Sequence, residues 1–444
     1  MANLDSAAID EAPEASPRRR AGWWRKLGPG LITGAADDDP SGIATYSQAG
    51  AQFGYATSWV LLLTWPLMAG IQLASARIGR VTGKGLACSF ALFCPRWLVW
   101  ALVSLLLVAN VINLGADLNA MGDAASLLVF GGHAGHAGTV AFVLGFGALS
   151  LLLQVWLPYR RYVQLLKWLT LPLLAYVALA FAVHVDWPQA LRATVSPWQA
   201  PWGQRDYLTG LVAILGTTIS PYLFFWQASQ EVEEIARVPQ DHALCEAPEQ
   251  ARRQSRRMKL DTWVGMGFSN LIAFFMIVAT AATLHAQGVQ HIESSTQAAS
   301  ALQPIAGRWA FLLFALGVIG TGALALPVLA GSAAYALADL CGWRAGLDRS
   351  LRRALPFYGV IAAAMLLGAA IGSAGWNPIS ALVWSAVINA VISVPIMAAV
   401  MIAAAHPRVM GKLPLAPRWR VLGWGATAVM ACATLAMAVL SLSK

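Results

Sequence analysis

The stretch that decides the fold is Gly34-Ala35-Ala36-Asp37-Asp38-Asp39-Pro40-Ser41-Gly42, three consecutive aspartates and a proline set near the middle of an otherwise apolar run from Leu27 to Ala51. Pro40 removes a backbone donor and clashes with the preceding turn, and Ser41 and Gly42 support a helix poorly. The helix is predicted to open there. Facing lipid without partners, three carboxylates at that depth would cost roughly 8 to 10 kcal/mol on an insertion scale. They must face protein, water or a cation. A plain solvent loop between two spans is the competing reading, but Gly28 to Asp37 and Ile43 to Tyr55 are each too short to cross a bilayer alone.

The rest of the chain has the same character. Of its 444 residues 58% are hydrophobic and 11% charged, whereas soluble domains carry about a quarter charged residues; the mean hydropathy is +0.60. Apolar runs able to cross a hydrocarbon core of about 30 Å recur along it. About eleven spans are expected: Leu27 to Ala51, Thr57 to Ile78, Trp97 to Gly122, Gly138 to Trp156, Tyr162 to Val185, Tyr207 to Ser229, Lys259 to His285, Ile305 to Asp339, Pro356 to Gly372, Pro378 to Ala404 and Val421 to Leu442. Basic residues cluster before the first span (Arg18, Arg19, Arg20, Arg25, Lys26) and after the even-numbered ones, as in Arg252, Arg253, Arg256, Arg257 and Lys259 after the sixth. Because cytoplasmic loops retain positive charge, the N-terminus is expected in the cytoplasm and the C-terminus outside, in an inner membrane. These loop charges account for the net charge of +9, so no nucleic-acid partner is expected.

A second break tests the first. The sixth span carries Gly216-Thr217-Thr218-Ile219-Ser220-Pro221-Tyr222, with Pro221 again between apolar stretches. Interrupted spans one and six are what a five-plus-five inverted repeat requires, each discontinuous helix opening one half and both breaks meeting at the midplane. Unwound backbone there exposes carbonyls that must line a cavity or coordinate something. Carbonyls with carboxylates make a cation site. The expected organisation is a disordered cytoplasmic tail over 1–26, five-helix repeats over 27–205 and 206–404, and a cytoplasmic loop with an eleventh helix over 405–444. The tail has no cleavage pattern of a signal peptide.

Three stretches, Gly28-Pro29-Gly30 through Asp39-Pro40, Ala49-Gly50-Ala51-Gln52-Phe53-Gly54-Tyr55 and Ala76-Arg77-Ile78-Gly79-Arg80-Val81-Thr82-Gly83-Lys84, resemble the opening helices of the NRAMP metal transporters. Ala116-Asp117-Leu118, Gly216 to Pro221 and Gly317 to Gly331 are similar to later family helices. The resemblance implies an all-α membrane protein with the leucine-transporter-like fold and a divalent metal ion as substrate. It also implies a ligand set: an Asp and an Asn from a D-P-G-N break, a Met from an M-P-H break, and carbonyls beside each. Asp39 falls on the family Asp and Ala36 on a carbonyl position. Gly42 stands where the Asn would be, Ser220 for the Met, Tyr222 for the first His and Thr217 for a carbonyl-donating Ala. Gln227 replaces a second His; Asp117 is kept while Ala120 replaces a neighbouring Glu.

Thioether favours transition metals, whereas carboxylates, hydroxyls and carbonyls suit hard ions. A site of Asp39, Ala36, Gly42, Thr217 and Ser220, with Asp37 and Asp38 added, is therefore expected to take Mg²⁺ or Mn²⁺, and a branch of related magnesium transporters lacks the Met. Asp117, Tyr222, Gln227 and Asn389 are candidates for gating or a proton path, Asp117 having the alternative of a structural carboxylate. None of the seven histidines falls mid-span, so coupling through histidine is not expected. Scattered Cys88, Cys94, Cys245, Cys341 and Cys432 suit neither a disulfide framework nor a thiolate site. No cofactor and no hydrolytic or redox constellation is expected, hence no enzyme. A non-transporting metal sensor and a carrier of organic cations or amino acids remain the other readings. The oligomeric state stays open, with a monomer compatible. Gln230-Glu231-Val232-Glu233-Glu234 reads as a solvated acidic helix end, with attraction of cations as the alternative.

Overall fold

The computed structural model describes residues 29–130, 135–157, 171–238 and 240–442, and within them the secondary structure is helical. The tail over 1–26, with Trp23, Trp24 and the first basic cluster, lies outside the described residues, as does much of the expected fifth span. In chain order the helices are α1 (Pro29–Asp37), α2 (Pro40–Phe53), α3 (Ser58–Thr82), α4 (Leu86–Phe90), α5 (Arg96–Phe130), α6 (His136–Trp156), α7 (Leu174–Ala182), α8 (Trp187–Val195), α9 (Arg205–Thr218), α10 (Pro221–Arg237), α11 (Ala251–Thr283), α12 (Ser295–Ser300), α13 (Gln303–Ala306), α14 (Ala310–Cys341), α15 (Leu355–Gly372), α16 (Pro378–Ala405), α17 (Pro407–Met410) and α18 (Pro417–Leu442).

Among the described residues nine segments are long and apolar enough to cross a membrane, or ten if Leu171–Ala182 and Trp187–Val195, bent by 115°, form one span. The expected eleven are not reached within these residues: one of the nine, Pro40–Thr82, runs through two expected spans, and the fifth falls partly in 158–170. Exposure sorts the spans. The most apolar window of Arg205–Arg237 is 89% buried and that of Pro40–Thr82 72%, against 22% for both α6 and α18. The broken helices are thus the centre of the bundle and α6 and α18 its rim. Leu105, Val108, Leu144, Leu149, Leu366, Leu367, Leu435 and Val439 point outward, an apolar surface too extensive for water and suited to lipid.

Both breaks fall at the prolines that the sequence marked. α1 ends at Asp37 and α2 starts with Pro40 as its first residue; α9 ends at Thr218 and α10 starts at Pro221. Proline tolerates the first helical turn, where its missing N–H would be unsatisfied anyway. Close backbone contacts hold the broken helices. A Cβ on Gly34 would fall 2.4 Å from the Gly265 carbonyl oxygen of α11, and one on Gly216 1.9 Å from that of Ala386 in α16. At these two positions only glycine lets the helices touch.

One end of the bundle carries an ion-pair network that corrects the reading of the acidic run. Glu231 is fully buried and pairs with Arg257 at 2.5 Å and Arg80 at 3.8 Å. Arg80, also fully buried, pairs with Asp241, which takes Arg253 at 2.8 Å. Glu233 pairs with Arg237 at 2.6 Å and accepts from the Tyr335 hydroxyl and, at 2.9 Å, from the Leu347 N–H. The run is not solvated because α10 packs under α3 and α14, and basic side chains of α3 and α11 meet it there. Asp261 has structural work at a helix start, accepting from the Gly30 N–H at 2.7 Å.

Candidate functional site

The two breaks meet. Asp39 caps α2: its Oδ1 accepts from the Gly42 N–H at 2.9 Å and the Ser41 hydroxyl at 2.6 Å. This capping is a structural role and would explain an aspartate before Pro40 by itself. Oδ2 does something else. It accepts from the Tyr222 hydroxyl at 3.1 Å, across from the second break, and from Asn113 Nδ2 of α5 at 3.4 Å. The Tyr222 hydroxyl also reaches the Ala36 carbonyl at 3.4 Å. Ser41 and Thr217 hydroxyls are 3.1 Å apart, and those of Tyr46 and Thr218 3.0 Å. Gly42 lies in this seam, where a Cβ would be 3.5 Å from both the Asp37 carbonyl oxygen and Thr217 Oγ1.

The neighbouring aspartates face away from Asp39 toward α11. Asp37 Oδ2 and Asp38 Oδ1 both contact the Ser269 hydroxyl, at 2.6 and 3.0 Å, and Asp37 Oδ1 has no partner. All three are buried: Asp37 is 0%, Asp38 2% and Asp39 1% exposed. The second break is more self-contained. The Ser220 hydroxyl lies 2.8 Å from the Gly216 carbonyl and 2.9 Å from that of Thr217, and Ser393 donates to the Ile219 carbonyl at 3.0 Å. Ser220 and the Thr217 carbonyl therefore bond each other in this conformation. Each carbonyl keeps a second lone pair.

Of the gating candidates, Gln227 accepts from Thr33 of α1 at 2.5 Å and leaves its Nε2 unpaired. Asp117 is fully buried with both oxygens unpaired, within electrostatic reach of Asp39 and Tyr222. Asn389 is buried on α16 with neither amide atom bonded. Asn270, by contrast, bonds between helices, accepting from Thr64 of α3 at 2.9 Å. The five cysteines are free. Among the described residues no group of three or more His, Cys, Asp or Glu side chains is arranged to hold a metal. Around Asp39 the donors are one carboxylate, hydroxyls, an amide and carbonyls.

Two residues that the sequence reading does not single out belong here. Asn113 precedes Asp117 by one helical turn, and Ser269 lies beside Asn270 on α11. The available signal was an intramembrane amide four residues before an intramembrane acid, which places both on one face of α5. Above the breaks, Gln48 of α2 accepts from the Ile292 N–H at 2.8 Å and donates to the Gln290 carbonyl at 3.1 Å. A cavity of about 310 Å³ there is lined by Thr45, Gln48, Asp206, His291, Glu293 and Asn377 among others.

With this geometry in hand, comparison with known proteins is informative. The chain is 28% identical over 393 residues to the divalent metal cation transporter MntH of Acidiphilium cryptum, covering 85% of this chain and 83% of that protein. It is 27% identical over 405 residues to the protein of that name from Deinococcus radiodurans, covering 90% and 86%. In fold it is similar to the Eremococcus coleocola manganese transporter, with a TM-score of 0.68 at 16% identity over 95% of this chain and 88% of that one. It is also similar to MHP1, a nucleobase-cation-symport-1 family transporter in a closed conformation, with a TM-score of 0.60 at 12% identity over 94% and 90%. The fold is thus the leucine-transporter-like one that the resemblance implied. The Nramp profile, natural resistance-associated macrophage protein-like, matches residues 30–440, and the chain belongs to that family.

Proposed function

We propose that the protein is a secondary transporter that carries a hard divalent cation, Mg²⁺ or Mn²⁺, across the inner membrane by alternating access. The observation that carries this reading is the buried seam where two unwound segments face each other, bridged from Asp39 Oδ2 through Tyr222 to the Ala36 carbonyl. A buried carboxylate bonded only to neutral donors attracts a cation, and unwound backbone supplies carbonyls to complete its shell. Asp39, the carbonyls of Ala36 and Thr217 and the hydroxyl of Ser220, once turned from its own helix, would hold the ion, with Gly42 leaving room. Asp37 and Asp38 add negative field. Relatives named as divalent metal cation transporters support the substrate class. The oxygen-only surroundings of Asp39 support a hard ion.

Alternating access is supported by the asymmetry of the two ends: the arginine network packs the end we assign to the cytoplasm, whereas a cavity of about 310 Å³ lined by Thr45 and Gln48 lies on the other side of the breaks. Membrane potential, worth about 2.3 kcal/mol per charge per 100 mV, can drive uptake without histidine. Purified protein in liposomes tests the reading: Mn²⁺ or Mg²⁺ should enter, and Asp39→Ala, still folded, should reduce entry to that of empty liposomes. Efficient movement of Fe²⁺ or Cd²⁺ with neither Mg²⁺ nor Mn²⁺ would refute the hard-ion assignment, and undiminished uptake by Asp39→Ala would refute the site.

A further inference from the structure

One face of α5 has no account in the fold. Asn113 and Asp117 are one turn apart on that helix, both completely buried, and so project from the same side. Asn113 Oδ1 and both Asp117 oxygens have no hydrogen-bond partner. A buried polar oxygen left unsatisfied costs about 1 to 3 kcal/mol, more if charged, and here three such atoms share one face. Packing alone would favour apolar side chains at these positions. Asn113 is directed at the site already described, since its Nδ2 lies 3.4 Å from Asp39 Oδ2, at the long end for a hydrogen bond.

We infer that Asn113 is a ligand of the transported cation, so that α5 forms a third wall of the site beside the two broken helices. This rests on the transport reading above. While Asp39 is an unneutralised carboxylate, the amide turns its NH₂ toward it. When a divalent ion binds Asp39 Oδ2, that donor is repelled, and a half-turn about χ2, a soft and roughly two-fold torsion, presents Oδ1 instead. The ion then gains a neutral oxygen ligand, the orphaned oxygen gains a partner, and the long contact is the one replaced. Asp117, one turn on, adds charge without having to touch the ion. Amide oxygen is a hard donor, so the third wall extends the preference for Mg²⁺ or Mn²⁺.

The test is Mn²⁺ binding to the purified full-length protein, read from loss of the free-ion electron paramagnetic resonance signal. Asn113→Ala should weaken Mn²⁺ binding at least about tenfold, the loss typical of groups that support a metal site. Asn113→Leu, close to asparagine in shape, is the sharper variant because the two possible roles move it in opposite directions. A ligand oxygen is lost, so binding should fall by a similar factor. If Asn113 serves only as a donor to Asp39, the variant frees that carboxylate for the ion and binding would hold or rise, which overturns the inference even if Asn113→Ala does not fold. Folded Asn113→Ala with unaltered affinity overturns it too. Asp39→Ala, measured alongside, keeps the cases apart: loss of binding there with no effect at Asn113 rejects the third wall alone, whereas binding that survives Asp39→Ala rejects the site itself.

Discussion

Carboxylates are buried in two places in this protein, and the two places treat them oppositely. At the arginine-rich end, Glu231, Glu233 and Asp241 meet Arg257, Arg80, Arg237 and Arg253. At the breaks, Asp37, Asp38 and Asp39 meet hydroxyls, an amide and a backbone N–H, Asp117 beside them meets no hydrogen-bond donor, and among the described residues no Lys, Arg or His pairs with any of the four. Taking a carboxylate out of water costs several kcal/mol even after relaxation, and a hydrogen bond to a charged group returns about 1.5 to 3. The first region carries its counter-charges in its own sequence and is built to stay together. The second leaves its counter-charge to be supplied from solution, and a counter-charge that arrives can also leave.

That contrast can be broken or sharpened by substitution. The largest effect is the loss of uptake in Asp39→Ala, because the carboxylate that faces Tyr222 across the breaks disappears. Next comes Arg80→Ala. It strips a counter-charge from buried Glu231 and Asp241, and should destabilise the protein by about 3 to 5 kcal/mol, as removal of one partner from a buried pair does. Thermal unfolding in detergent measures it, and part of the loss should return when Glu231→Gln is added. An Arg80→Ala protein melting like the unaltered one would show that the network is not a fixed counter-charge. Tyr222→Phe is expected to cost about 1.5 to 3 kcal/mol in the metal-free protein, since it removes a hydrogen bond to Asp39.

The smallest effect has the opposite sign. Asp38→Asn replaces a buried carboxylate that lacks a cation, so it should raise the Tm of the metal-free protein modestly while shrinking the further rise that Mn²⁺ produces. A lower Tm without metal would mean that Asp38 is already compensated, and the two regions would no longer differ in kind.

Prolines and charges made much of this legible in the sequence. Pro40 and Pro221 marked where the helices open because each stands beside residues that support a helix poorly, Asp39 and Gly42 at one and Ser220 at the other; Pro66, Pro327 and Pro395, set between apolar neighbours, lie inside continuous helices. Asp39 was legible for the same reason, as the acid beside the first break. The acidic run Glu231 to Glu234 was misread because the partners of Glu231 come from α3 and α11 and those of Glu233 include Tyr335 of α14, all remote in sequence. Asn113 escaped because its one signal was its spacing from Asp117, and Ser269 because a single hydroxyl in a span has no periodic signature; the meaning of each depends on which helix lies opposite. The same holds for Ser220, whose hydroxyl turned out to bond its own helix.

The sequence by itself determined that the chain crosses a membrane repeatedly, that spans one and six are interrupted, and that acid accumulates at one interruption. These are local properties: hydropathy, proline geometry and the cost of charge in hydrocarbon act on neighbouring residues. Only the tertiary structure decided which oxygen of Asp39 caps a helix and which faces across the seam, that Asp37 and Asp38 turn to Ser269, and that α5 brings Asn113 to Asp39. Those outcomes depend on close helix contacts such as Gly34 on Gly265, which set distances of a few ångströms between residues far apart in the chain.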